Sequence, residues 1–282
     1  MKAIISILII LNFNFAISQN NEENIILKNK VKEQKVYDAN QKLSEISKFD
    51  TNGKLIFNQK DNFTSSTYLK TSKTIKYNEQ GLIIEEKTTH SSFPEPSIRK
   101  NEYDENGNLI KIYSDKNRLI LKNFFNERNK IIRAEMFDDD EKMIQTTEYN
   151  YFDNDTKVES IINGDFLKNR KIIEYYDNQN REIKSEGYQN DKIYFTSIKT
   201  YKNNKLVKEI FDEGENIHGD NYYYDEKGYL IKRELFDIEN GIETSNSSEN
   251  FEYSENGLLK TYSENFYSAD SKTRKYRYEY TF

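Results

Sequence analysis

A short motif, aromatic-Asp-x-x-Gly-x-Leu, recurs about ten times along the 282 residues and constrains the fold more than any other feature. Clear copies begin at Phe49, Tyr77, Tyr103, Tyr224 and Tyr253. Less regular copies begin at Tyr37, Phe125, Phe152, Tyr176 and Tyr201. From Phe49 onward the copies start 22 to 29 residues apart. A motif that recurs at this spacing indicates one structural unit stacked on the next.

The chemistry of the motif predicts a β-hairpin turn. In the copy at Tyr103, Asp104 suits the first position of a type I turn, because its side chain accepts hydrogen bonds from the backbone that follows. Gly107 suits the left-handed residue that closes a three-residue hairpin loop with a bulge. Asp104 then faces Asn108, and Tyr103 faces Leu109 as an aromatic–aliphatic pair across the two strands.

The Gly position is not occupied by glycine in every copy. Asn129 and Asn180 also tolerate a positive φ, whereas Gln41, Thr156 and Lys205 do so less readily. We therefore expect irregular turns at those three residues.

A second turn closes the other end of many units, so each unit is predicted to be two antiparallel strands. Ten units give about twenty strands in meander order, and at roughly 4.8 Å per strand a flat sheet would extend on the order of 95 Å. Sheets of more than about ten strands usually curl, split or close. We expect an all-β fold, a long antiparallel meander of repeated β-hairpins in one twisted or rolled sheet. Two segments interrupt the repeat and are predicted to be loops, Asn58 to Thr74 and His90 to Arg99, which holds Pro94 and Pro96.

The first eighteen residues have the pattern of a secretory signal peptide. Lys2 supplies the charged start, residues 3–15 are mostly apolar, and Ala16 to Ser18 give small residues for cleavage. The apolar stretch is shorter than the roughly 20 residues that span a bilayer, and no later segment is apolar enough to do so. We expect a signal peptide at 1–18, a single repeat domain of about ten units at 19–282, and an exported protein in the periplasm, at the cell surface or outside the cell.

The motif, as in Tyr103 to Leu109 and Tyr224 to Leu230, resembles the YD repeats of RHS-type bacterial proteins and covers nearly all of the mature chain. RHS repeats wrap into a shell around a toxin domain or serve as exported surface repeats. The chain is also similar to short exported YD-like proteins. That resemblance implies a binding or surface role without a defined activity.

Composition disfavours several functions. The net charge is only −6, with 42 basic and 48 acidic residues interspersed, which predicts no nucleic-acid partner. Without cysteine there is no disulfide, thiolate metal site or cysteine nucleophile. His90 and His218 lie in different units and are expected to be surface residues, and the acidic run Asp138 to Glu141 is expected to form a turn rather than a calcium site. We predict no catalytic residue, no metal and no cofactor.

Aromatic clusters are the remaining candidates for a binding site. Tyr222, Tyr223 and Tyr224 are the possible binding surface, because aromatic rings stack on sugars or form protein-binding patches. Tyr276, Tyr278 and Tyr280 alternate with period two, which indicates packing on one face of the last strand. This aromatic end also resembles the closing strand of outer-membrane barrels, but charge on both faces of the strands disfavours a lipid-facing wall.

The leading hypothesis is a non-catalytic exported repeat protein that acts as a protein-interaction or surface structural module. Its partner is expected to be another envelope or extracellular protein. The alternative is a carbohydrate-binding module that binds polysaccharide through tyrosine platforms.

Overall fold

The structure, a computed structural model, describes residues 22–63, 68–165, 169–267 and 273–282. It is one sheet of 20 strands preceded by a short helix, residues 22–28. The signal peptide predicted at residues 1–18 lies outside the described residues. Within them, no helix is long and apolar enough to cross a bilayer.

The strands of the first half are β1 (Glu33–Tyr37), β2 (Leu43–Phe49), β3 (Leu55–Phe63), β4 (Tyr68–Tyr77), β5 (Ile83–His90), β6 (Phe93–Tyr103), β7 (Leu109–Ser114), β8 (Leu119–Phe125), β9 (Ile131–Phe137) and β10 (Met143–Phe152). Those of the second half are β11 (Lys157–Gly164), β12 (Arg170–Tyr176), β13 (Glu182–Gln189), β14 (Lys192–Lys202), β15 (Lys205–Asp212), β16 (Ile217–Tyr224), β17 (Leu230–Glu239), β18 (Ile242–Tyr253), β19 (Leu259–Phe266) and β20 (Thr273–Thr281).

Each strand pairs with the next in antiparallel fashion, and the two end strands pair with each other. Gln34 of β1 lies opposite Tyr280 of β20, and Val36 lies opposite Tyr278. The predicted all-β, rolled meander is therefore confirmed, and the sheet closes into a barrel. Closure leaves no unpaired edge strand among the twenty strands of the described residues.

The turns alternate between the two ends of the barrel. We call the end formed by the turns after the even-numbered strands β2 to β18 the Asp-turn rim, and the other end the opposite rim. At Tyr103 the turn has the predicted geometry: the Asp104 amide donates to the Asn108 carbonyl at 3.0 Å, and the Gly107 amide donates to the Asp104 carbonyl at 3.1 Å. Gly107 has a φ of 81°, and Tyr103 lies opposite Leu109. The copy at Tyr37 has the same turn but lies at the opposite rim.

Of the three turns expected to be irregular, one is regular and two are irregular. Gln41 forms a regular turn with a φ of 60°, so that prediction was wrong. The Asp38 carboxylate accepts from the Asn40 and Lys42 amides, each at 2.9 Å, and these bonds offset the left-handed strain. The turn before Thr156 is a 3₁₀ turn at Asp153–Asp155, and the turn before Lys205 is a two-residue loop, so both depart from the motif as expected.

The two predicted loops are mostly strand. Residues 58–63 and 68–74 belong to β3 and β4, and His90 to Arg99 spans the end of β5 and most of β6. Pro94 and Pro96 are tolerated because they occupy the first residues of β6. There the ladder to β5 shifts register between Thr88 and His90, and pairing with β7 begins only at Arg99.

Tyrosine hydroxyls tie several units to the one before them at the Asp-turn rim. A ring at the first motif position, or Tyr151 beside Phe152 and Tyr280 of the last strand, donates to the backbone carbonyl at, or close to, the Leu position of the preceding unit, where the ladder between units has ended. These bonds measure 2.8 to 3.0 Å and join Tyr77 to Leu55, Tyr103 to Ile83, Tyr151 to Ile131, Tyr201 to Glu182, Tyr224 to Leu206, Tyr253 to Leu230 and Tyr280 to Leu259. We call these bonds the tyrosine ties.

One unit makes the tie with a different side chain. Its aromatic residue is Phe125, which has no hydroxyl, and the amide of Asn123 donates at 2.9 Å to the corresponding carbonyl, that of Leu109. The substitution shows that this carbonyl requires a donor, as an end-of-ladder acceptor does when it is shielded from water.

The N-terminal helix covers the seam where the barrel closes. Ile26 and Val31 are 2% exposed and pack with Leu258, Phe49 and Tyr280. The helix approaches the turn at Gly53 so closely that a Cβ there would lie 2.8 Å from the Leu27 Cβ. Glycine is thus required at Gly53 for space as well as for its φ of 78°.

Desolvation distinguishes the inner face of the barrel from the outer face. On one face, burial raises the pKa of Tyr149 and of Tyr280 to about 12. On the other, Lys111 holds the pKa of Glu102 below its usual value through a hydrogen bond, and Lys76 does the same for Glu85. The desolvated face is the inner, concave one, and the paired charges face solvent.

We predict that Tyr224→Phe lowers the free energy of unfolding by about 1 kcal/mol, because it removes the tie to the Leu206 carbonyl. Tyr103→Phe should cost less, since Asn101 also donates to the Ile83 carbonyl at 2.9 Å. Urea unfolding of the two variants checks the difference. Equal losses would show that the ties do not act through these carbonyls.

Candidate functional site

A belt of charged side chains crosses nine consecutive strands on the inner face. The order along β12 to β20 is two acids and then one base, repeated three times. The residues are Glu174, Glu182, Lys199, Glu209, Asp220, Arg233, Glu249, Glu264 and Arg274. We call this set the charged belt.

The strand registers place these side chains next to each other. Lys199 lies directly opposite Glu209, which lies opposite Asp220, and Glu264 lies opposite both Glu249 and Arg274. Direct partners in an antiparallel ladder project from the same face. Two of these pairings join acid to acid and are repulsive by themselves, so the belt depends on its bases.

Each base forms ion pairs with the belt acids on its neighbouring strands. Lys199 and Arg233 have an acid on both sides, and Arg274, at the end of the belt, has one on one side. The Lys199 ammonium lies 2.8 Å from the Glu182 carboxylate and 3.7 Å from that of Glu209. Arg233 contacts Asp220 at 3.0 Å and Glu249 at 3.3 Å. Arg274 lies 3.6 Å from Glu264.

The centre of the belt is buried. The side chain of Lys199 is 8% exposed, and those of Glu182 and Glu209 are each 13% exposed. Burial opposes the charged form of Lys199, but the hydrogen bond and charge of Glu182 outweigh it and raise the lysine pKa. Burial also raises the pKa of Glu209, against the attraction of Lys199 and a hydrogen bond from Ser197.

Tyrosines complete the hydrogen bonding further along. The Tyr262 hydroxyl lies 2.8 Å from the Glu249 carboxylate and 2.9 Å from that of Glu264. Burial and these two carboxylates raise the pKa of Tyr262. Burial raises the pKa of Tyr222, and the charge of Asp220 raises it further. Both hydroxyls therefore stay protonated, and that of Tyr262 acts as a donor to the belt.

Glu174, at the start of the belt, is the acid with no base beside it in the pattern. Its direct partner on β11 is Val158 and its partner on β13 is Ser185. Burial and the charge of Glu182 raise the pKa of Glu174 to about 7, while a hydrogen bond with Tyr176 and the charge of Lys199 act in the opposite direction. Tyr149 and Tyr151 of β10 face the same carboxyl.

The belt consists of carboxylates, one ammonium group and two guanidinium groups. In the part of the chain that the structure describes, no group of three or more His, Asp or Glu side chains could hold a metal ion. Both histidines are exposed, as predicted: His90 contacts Thr71 at 3.1 Å, and the His218 ring stacks on Phe211. Asp138 serves its turn, accepting from the Asp140 amide at 2.9 Å and the Lys142 amide at 3.0 Å.

The structure separates the three tyrosines predicted as a binding surface. Tyr222 and Tyr224 lie on the inner face. The Tyr224 hydroxyl makes the tie to the Leu206 carbonyl, and the Lys205 ammonium lies 4.9 Å from the centre of the Tyr224 ring. Tyr223 lies on the outer face, 42% exposed, with its hydroxyl 3.1 Å from Glu234 and Lys232 5.4 Å from its ring centre. The three rings lie on two faces of the sheet, and binding by Tyr222, Tyr223 and Tyr224 stays a prediction.

Sequence reasoning missed the belt, although one signal pointed to it. The Leu position of the motif holds Leu or Ile in most units, but Glu182 occupies it in the unit that begins at Tyr176. An acid at a buried position of a repeat requires a partner. Lys199 is that partner on the next strand.

The sequence matches no protein-family model and no curated protein. Among solved structures, it is similar to a chain of the TcdB2-TccC3-Cdc42 crystal structure, with a TM-score of 0.40 and 10% identity over 82% of this chain and 16% of that one. TcdB2-TccC3 without its hypervariable C-terminal region gives a TM-score of 0.39 and 12% identity over 86% and 16%. This chain thus spans about one sixth of each of those chains.

A porin-like protein from Bacteroides uniformis is similar over 89% of this chain and 96% of its own, with a TM-score of 0.39 and 10% identity. Similarities of this size define no family and transfer no activity. The resemblance to YD repeats therefore rests on the turn motif itself.

We predict that Lys199→Met lowers the free energy of unfolding by about 3 to 5 kcal/mol, because it leaves buried carboxylates without a cation. Lys111→Met is the matched control. Its ion pair with Glu102 lies on the outer face, where solvent screens the attraction, so the loss should be clearly smaller than that of Lys199→Met. Adding Glu182→Leu to Lys199→Met should restore part of the loss in chemical unfolding, and a further loss would contradict a pairing role.

A second prediction concerns pH. The pKa of Glu174 is about 7 in the folded protein against an ordinary value of 4.5, so the folded state binds the proton more tightly. Its contribution to stability is full below pH 4.5 and is lost as the pH rises through 7. The free energy of unfolding should therefore decline by an amount on the order of 2 kcal/mol between pH 4.5 and 8, and Glu174→Gln should remove that decline. Urea unfolding at both pH values measures it, and an unchanged decline in the variant would contradict the assignment.

Proposed function

We propose that the protein is a non-catalytic, exported binding module that docks a partner protein on the opposite rim of its barrel. The observation that carries this proposal is the position of the most exposed apolar side chains. Phe93 and Ile242 are each 67% exposed and Ile193 is 56% exposed, and all three lie at hairpin turns of the opposite rim. In the described part of the chain, the other large apolar residue with an exposed fraction above one half is Phe282, the last residue.

The rest of the surface supports the same function, because its polar groups bond within the molecule. At the Asp-turn rim, Lys54 donates to the Gly81 carbonyl at 2.6 Å, and Arg181 donates to Asn204 at 2.8 Å. On the outer face, lysines cover aromatic rings, as Lys122 covers Phe124 at 4.6 Å from the ring centre. A ring covered in this way offers no free face to a sugar, which favours a protein partner over a polysaccharide.

A binding role without catalysis agrees with the chemistry of the belt. Its lysine and arginines are held in ion pairs, and its tyrosines stay protonated. No nucleophile in the belt is paired with a base of matched pKa, as acyl or glycosyl transfer requires.

The experiment is a pull-down from an envelope extract, with protein beginning at Gln19 as bait. The triple variant Phe93→Ser, Ile193→Ser, Ile242→Ser should lose a partner that the parent protein retains, because the rim supplies the apolar contact. Ile198→Ser is the matched control, since this side chain is 48% exposed on the outer face away from both rims. Equal retention by the triple variant, or retention of the parent on insoluble polysaccharide alone, would sink the proposal.

A further inference from the structure

We propose that Glu174 and Ser185, side by side on the inner face of β12 and β13, form a binding site for an alkylammonium group. The site is independent of the opposite rim.

The pattern of the charged belt is the first ground for this site. Lys199 is shared by Glu182 and Glu209, Arg233 is shared by Asp220 and Glu249, and Arg274 contacts Glu264. The neighbour before Glu174 is Val158, which carries no charge. The belt thus has six acids and three bases, and Glu174 is the acid to which the described residues bring no cation within ion-pair distance.

Ser185 is the second and independent ground. It lies directly opposite Glu174 in the ladder and is 8% exposed. Among the described residues, its hydroxyl has no hydrogen-bond partner. A serine hydroxyl that makes no other hydrogen bond and lies beside a carboxyl is an arrangement that a donor with several N–H groups satisfies, since both oxygens accept.

The chemistry of the site selects the kind of cation. A metal ion is disfavoured because the acids lie in a row along successive strands and, in the described residues, do not converge in a group of three. A guanidinium group favours two free carboxylate oxygens, whereas Tyr176 already bonds to Glu174. An ammonium group needs single acceptors, and the Glu174 carboxylate and the Ser185 hydroxyl provide two.

The surroundings add to this selection. Besides burial, the charge of Glu174 raises the pKa of Tyr149 and Tyr151 of β10, so both rings lie near the carboxylate, and tyrosine rings attract cations. The facing charges are Glu182, which favours a bound cation, and Lys199, which is held by its own acids. A bound ammonium stabilises the ionised carboxylate, so binding releases a proton near neutral pH.

Calorimetric titration of the folded protein with n-butylammonium chloride at pH 8 and low salt tests the site. We expect saturable binding of one equivalent. Glu174→Gln should weaken it at least roughly tenfold, because one charge-assisted hydrogen bond is lost. Ser185→Ala should weaken it several-fold, and Glu105→Gln, an exposed turn acid, should leave it unchanged. Binding should weaken as the pH falls from 8 to 6.

Tetramethylammonium chloride is the ligand control, because it carries the same charge without an N–H donor. Absence of saturable binding, equal affinity in Glu174→Gln, or equally tight binding of tetramethylammonium would each overturn the proposal. A blocked peptide with a single lysine distinguishes the source of the ammonium. Tighter binding of that peptide than of n-butylammonium assigns the site to a protein ligand, and the reverse assigns it to a small amine.

Discussion

The hydrogen bond from a motif tyrosine to the backbone of the preceding unit is the interaction on which the barrel depends. A two-stranded hairpin is marginal by itself, and a meander gains stability only where one hairpin is fixed to the next. The turn supplies the position of the ring, the ring supplies the hydroxyl, and the hydroxyl satisfies the last carbonyl of the neighbouring ladder. Asn123, which makes the same bond where Phe125 has no hydroxyl, shows that the chain maintains the bond by a second route.

Local chemistry was predictable from the sequence because it lies within seven consecutive residues. Asp104, Gly107 and the Tyr103–Leu109 pair were expected in the geometry that they adopt, and the hairpin meander followed from them. Gln41 was misjudged because propensity for positive φ was weighed without the two amide bonds that Asp38 accepts. Residues 58–63 and 68–74 were misjudged because they contain no motif, and β3 and β4 are extended without one.

Features that depend on the whole ring were not predictable in this way. Closure requires that the registers of all twenty strands together bring β1 beside β20. No short stretch of sequence indicates this combined register. The belt was hidden for a related reason. Its members lie in successive strands, and Glu182 joins them only because the ladder shifts register between Tyr175 and Tyr176, which places its side chain on the inner face. The division of Tyr222, Tyr223 and Tyr224 between two faces follows from simple alternation in β16.

The seam between β1 and β20 also orders the folding of the chain in time. Every other strand pair joins neighbours in sequence, so hairpins form as soon as their own residues are available. The ring, in contrast, joins Gln34 to Tyr280, residues near the two ends of the chain. Without β20, β1 and the helix over the seam have only β2 beside them. Closing the ring joins Gln34 and Tyr280, which are 246 positions apart in sequence, so this pairing carries the highest loop-closure cost of any in the sheet.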